Sequence, residues 1–140
     1  MADFLLLPDL EAIARKRIAD AGYRAYSSIP NNPVWPLAVV QRAGGYPAVR
    51  RYLDAGRIQI DVWGGAKGDA SPTPKSTIQD MAQDIRVQVL RLEGTKVTTP
   101  VGAWISGVED GGIQWVPSDE GRDRYIVTME IFGRTLLPGE

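Results

Sequence analysis

Cysteine and histidine are both absent from this 140-residue chain. Without cysteine there are no disulfides, no thiolate chemistry and no cysteine-ligated zinc. Without histidine the commonest general base and the commonest metal ligand are missing. Ser-His-Asp and Cys-His devices are therefore excluded, and only carboxylate, Lys or Tyr chemistry remains. An excess of charge is lacking too. Sixteen basic residues face 17 acidic ones, a net charge of −1. Such a balance gives no global attraction to nucleic acid or to an anionic membrane. Long apolar runs are also missing, since none approaches the roughly 20 residues that span a bilayer. Residues 4–7 are too short, and too poor in basic flanks, to read as a signal peptide. No membrane partner, metal or cofactor is expected.

What is present is ordinary globular material. Hydrophobic residues make up 44% of the chain and charged residues 24%, typical of a soluble fold. The length fits one domain spanning residues 1–140, large enough for a conventional core.

The clearest local pattern is residues 57–63, Arg-Ile-Gln-Ile-Asp-Val-Trp. Ile58, Ile60 and Val62 point one way; Arg57, Gln59, Asp61 and Trp63 point the other. Strict alternation predicts a strand with one buried face. A Gly-rich loop, residues 64–71, and a helical pattern follow. Strand, loop and helix invite a phosphate-binding reading, which fails on spacing. That motif needs Gly-Lys-Ser/Thr after its loop, whereas Lys67 here precedes Gly68, and Asp69 would repel an anion. The segment reads as a flexible surface loop.

Elsewhere, Leu7-Pro8-Asp9 opens a first helix, with Leu10, Ile13, Ala14, Ile18 and Ala21 as its apolar stripe and Gly22 as its stop. Arg15, Lys16 and Arg17 read as its solvated face. Residues 23–29 form a strand pattern, and three prolines in residues 30–36 end it. A strand over 37–42 closes at Gly44-Gly45, and a connection with a helical turn near 49–53 follows. Thr73-Pro74 or Ser76-Thr77 caps a second helix carrying Ile78, Met81, Ala82, Ile85, Val89 and Leu92. Residues 103–108 form a strand, Asp110-Gly111-Gly112 a tight turn, and 113–116 a short strand pairing back. Residues 124–132 are the last strand, with Val127 and Met129 in the core, and 134–140 an extended C-terminal tail. The expected fold is α+β, a mostly antiparallel sheet of about five strands with two main helices on one face.

Four tryptophans are many for such a domain. Trp is enriched both in cores and at interfaces. Trp35, placed among prolines, reads as exposed or as a lid. Trp63 lies on the second sheet face. Both are open to an interface or a core role, while Trp104 and Trp115 read as core. Asp61, Glu93, Lys96 and Asp110 invite a metal-nuclease reading, because carboxylates suit Mg²⁺. Their spacing fits no such motif, and they read as surface charges. Arg50, Arg51, Arg122 and Arg124 read as ion-pair partners. Arg57 and Asp61 are too far apart to pair with each other, so each needs a partner on an adjacent strand or subunit.

In order, these pieces resemble the tail terminator (tail completion) proteins of long non-contractile-tailed phages, especially those of actinobacteria. The matching residues are Leu7-Pro8-Asp9; Pro36-Leu37 with Arg42 and Gly44-Gly45; Leu53-Asp54, Arg57 and Asp61-Val62-Trp63; and Met81-Ala82. Ser106-Gly107-Val108, Trp115-Val116-Pro117 with Asp119, Arg124-Tyr125 and Arg134 complete the set. The second helix departs from it, opening on Pro74-Lys75-Ser76 where that family is Ala-rich. The resemblance implies a non-enzymatic virion protein, assembled in the cytoplasm of the bacterial host. It implies a homo-oligomeric ring, usually a hexamer, that caps the tail tube, stops its polymerisation and joins the tail to the head. Partners would be the tail tube protein and a neck or head-completion protein, with DNA passing unread through the lumen. The alternatives are another neck protein, a tail tube subunit or a carboxylate-dependent metal enzyme. The interface candidates are Trp35, Trp63, Arg57, Asp61, Lys67, Asp69, Arg124 and Arg134.

Overall fold

A computed structural model describes residues 7–49, 53–70, 72–137 and 139–140. The first helix, α1 (Leu10–Asp20), starts just after Leu7-Pro8-Asp9, so Pro8 precedes the helix instead of lying in its first turn. Asp9 is its N-cap, and its carboxylate accepts the Ala12 N–H at 3.0 Å. Leu10, Ile13, Ala14 and Ile18 are buried. The chain leaves the helix through Gly22 at a φ of 99°, a conformation that costs glycine little. The second helix, α2 (Lys75–Leu90), buries Ile78, Met81, Ala82, Ile85 and Val89. Its N-cap is Pro74, which makes no side-chain cap.

The strands are β1 (Ala25–Tyr26), β2 (Leu37–Val49), β3 (Leu53–Trp63), β4 (Thr95–Val97), β5 (Ala103–Trp115) and β6 (Arg124–Thr135). They form one sheet in the order β1-β2-β3-β6-β5-β4. The α+β class stands, but the sheet has six strands and is mixed. β1 pairs parallel with β2, and the other neighbours are antiparallel. Both helices pack on one face, where Ala38, Val40, Ile58, Ile60, Val62, Val127, Met129 and Ile131 join them in the main core. The opposite face, hereafter the outer face, carries a smaller cluster of Trp35, Leu37 and Val39 with Tyr26 and Trp63 packed against it.

Several expected boundaries move, each for a physical reason. The strand expected over 23–29 shrinks to Ala25–Tyr26, which pair with Ala38 and Val39. β2 does not stop at Gly44-Gly45. It absorbs them as a bulge between Arg42 and Gly45 and runs on against β3. Both glycines have positive φ, and a Cβ on Gly45 would collide with the Ala55 carbonyl. Val49 and Leu53 are thus strand residues, not a helical turn; residues 50–52, including Arg50 and Arg51, lie outside the described residues. Asp110-Gly111-Gly112 is likewise a bulge instead of a hairpin turn. Asp110 faces Met129 and Ile113 faces Val127, so β5 carries one extra residue there. The Asp110 carboxylate accepts the Gly112 N–H at 2.9 Å, and Gly112 has a φ of 96°. Residues 113–115 therefore continue β5 along β6. At the chain's end, Arg134 and Thr135 belong to β6, and Glu140 turns back to pair with Arg134 at 2.7 Å.

Candidate functional site

One end of the sheet gathers most of the candidate residues. β2 begins, β3 ends and β6 begins there, with Leu37 opposite Trp63 and Trp63 opposite Arg124. Alternation puts Trp63 and Asp61 on the outer face, because Val62 and Ile60 fill the core. Trp35, on the turn into β2, folds over that face and is 9% exposed. It is therefore neither an open surface residue nor part of the main core.

Two arginines stack on these rings. Arg124 lies 4.7 Å from the Trp63 ring centre and Arg122 lies 4.3 Å from that of Trp35. Both distances fall within the range of favourable cation–π contact. Arg124 also faces Asp61 at 3.7 Å, and Gln59 donates to Asp61 at 2.9 Å. Asp61 thus finds its partner on the adjacent strand, within the same chain. Arg122 makes a two-point ion pair with Asp69 and sits 3.5 Å from Glu120. Hydrogen bonding from Arg122 holds the Asp69 carboxyl below its ordinary range, and the Ala66 N–H adds to that effect. A third pair sits on the helix side, where Lys75 Nζ is 3.7 Å from the Trp115 ring centre. Trp115 is 45% exposed and donates to Asp123 at 3.1 Å. It is not a core residue. Trp104 is not one either, since it lies half-buried opposite Arg134 on the outer face.

The Gly-rich segment is tied down at both ends, unlike the flexible loop expected from its composition. Gly64 N–H donates to the Asp123 carbonyl, and Gly65 N–H to the Thr73 hydroxyl. Thr73 N–H returns to the Gly65 carbonyl, and the Asp69 carboxylate accepts from Ala66 at 2.7 Å. Gly64 and Gly65 are buried, while Lys67 at the tip is exposed. A Cβ on Gly64 would meet the Ile78 side chain of α2, which explains why the loop turns on glycine at that point.

Trp35, Trp63, Asp61, Asp69 and Arg124 are thus brought together, with Lys67 nearby in sequence. Arg57 and Arg134 are not. Arg57 is exposed halfway along the outer face opposite Glu130, and Arg134 lies at the far end. The carboxylates of the metal-nuclease reading are separately engaged. Asp61 pairs with Arg124, Asp110 pairs with Arg86, and Glu93 accepts the Val108 N–H. Among the described residues, no cluster of three metal-ligating side chains occurs.

Residues that sequence reasoning did not place here are Ile29, Asp119, Glu120 and, as its hub, Arg122. With Trp35, Trp63 and Ser118 they line a groove of about 400 Å³. Nothing local marks Arg122, whose partner Asp69 is 53 positions away. No known family model matches the chain, and no curated protein matches it in sequence.

Proposed function

We propose that this chain is a structural virion protein. In this reading it forms a ring, usually of six copies, that caps a phage tail tube, stops its growth and joins the tail to the head. The ordered motif set from Leu7-Pro8-Asp9 to Arg134 suggests this role. The observation that carries it furthest is the outer face of the sheet. Both helices pack on the other side, and the outer face holds Trp35, Trp63, Gln59 and the Asp61–Arg124 pair. Such a face is ordinarily solvated; the aromatic cluster on this one makes it the face we assign to contact with a neighbour or to the lumen. The near-neutral charge suits a lumen through which DNA moves without being held.

The ring would close by heterologous contacts between identical copies. Light scattering and negative-stain microscopy of the protein, alone and mixed with purified tail tubes, test this. Closed rings, or a single cap per tube end, support a terminator. Growth into long tubes would instead make the chain a tube subunit, and binding to heads but not to tube ends would make it another neck protein. A protein that stays monomeric in both conditions would sink the proposal. Mg²⁺-dependent DNA cleavage that is lost in Asp61→Asn would replace it with an enzyme.

A further inference from the structure

We infer that the groove between Trp35, Trp63 and residues 118–122 is a docking site for a lysine or arginine side chain on an apolar segment of a partner protein. The groove holds about 400 Å³, room for one long side chain and part of a neighbour. Its walls are aromatic and aliphatic: Trp35, Trp63 and Ile29, the last 45% exposed.

Charge decides which partner fits. The rim is acidic, with Asp119 and Glu120 both exposed. Arg122 is the cation in the lining, and its charge is met from behind by Asp69. Arg122 is also 3.5 Å from Glu120, and Arg124 on the Trp63 ring pairs with Asp61, so these six residues carry four carboxylates against two guanidiniums. Trp rings attract cations through their π faces, and this site already uses that attraction twice, with Arg122 and Arg124. An incoming lysine or arginine would lay its methylene stem along the indoles and bring its head to Asp119 and Glu120. An acidic side chain would be repelled, and a purely apolar one would leave the carboxylates unused. The groove lies within one subunit, so the inference does not depend on ring formation.

The test uses the intact protein with indole ¹⁵N labels and two tripeptides, acetyl-Leu-Lys-Leu-amide and acetyl-Leu-Glu-Leu-amide. The lysine peptide should shift the indole N–H signals of Trp35 and Trp63 but not that of Trp104. The glutamate peptide should leave all of them in place. Asp119→Asn combined with Glu120→Gln should weaken binding by about fivefold, the scale of an exposed ion pair. Because both residues are exposed, the double variant should melt like the parent, which separates lost docking from lost folding. Equal shifts with both peptides, or undiminished binding in the double variant, would overturn the assignment. So would shifts that grow with protein concentration alone, since the occupant would then be a second copy of this chain.

Discussion

Among the described residues, Asp54 is the buried charged one, 0% exposed, and it meets Arg42 in a two-point ion pair, one contact of 2.8 Å. Hydrogen bonding to Asp54 raises the Arg42 pKa above its ordinary value. The two partners are not equivalent, because the Arg42 side chain keeps 33% exposure. Removing the arginine strands a carboxylate out of water, which costs about 3–5 kcal/mol. Removing the carboxylate leaves a cation that still reaches solvent. Urea melts should therefore show Arg42→Ala as the more damaging change, with Asp54→Asn nearer ~2 kcal/mol. Equal losses would mean that Arg42 is no better hydrated than Asp54. Asp69 makes a different prediction. Its carboxyl is held low by Arg122, so its contribution is present above the ordinary Asp value of about 3.9 and fades as pH falls through the lower folded value. Exchange of the Ala66 amide, followed from pH 5 to pH 2, should stay slow relative to an unprotected amide until below pH ~3.9. Asp69→Asn should abolish that pH step.

At the scale of elements, both helices were legible because apolar spacing and caps are local signals. The Leu10-to-Ile18 and Ile78-to-Val89 stripes needed no knowledge of the rest of the chain. The bulges were not legible. Gly44-Gly45 and Asp110-Gly111-Gly112 have the composition of turns, and only a partner strand that pairs on both sides makes them bulges. The loop over 64–73 is a surface loop, as its composition implies, but its anchors Arg122 and Asp123 lie far along the chain and leave no local signal. Sheet edges carry a further device. Glu11 accepts the N–H of Arg42 on β2, and Glu93 accepts that of Val108 on β5. Carboxylates thus occupy amides that a neighbouring strand would otherwise bind. Tyr23, just before β1, is tied to Asp84 of α2. Burial, reinforced by that contact, pushes its pKa up to about 12. A raised tyrosine favours folding fully below its ordinary value of about 10 and loses that advantage between there and pH ~12. Ultraviolet titration should show one phenol ionising late, and Tyr23→Phe should remove that component. A titration unchanged by Tyr23→Phe would break the link between β1 and α2.

For the molecule as a whole, the two faces of the sheet make opposite demands on neighbouring residues of β6. Val127 faces the helices and is fully buried in the main core. Thr128, the next residue, pairs with Gln59 on the outer face and is half-buried. Val127→Asp places an unpaired charge in apolar packing and should cost several kcal/mol, about the whole stability of a marginal domain. Thr128→Lys adds a long side chain that can reach water past Gln59, so the isolated subunit should melt within about 0.5 kcal/mol of the parent. Assembly separates the remaining possibilities. If the outer face is covered by a neighbouring copy or by the tube, Thr128→Lys will fold normally yet fail to cap tails. If the face lines an open lumen, capping will persist, and the contacts that close the ring must lie at the sheet edges or at the Trp35–Trp63 end. Unfolding of Thr128→Lys as severe as that of Val127→Asp would show instead that the subunit itself covers both faces. That result would remove the observation on which the ring proposal chiefly rests.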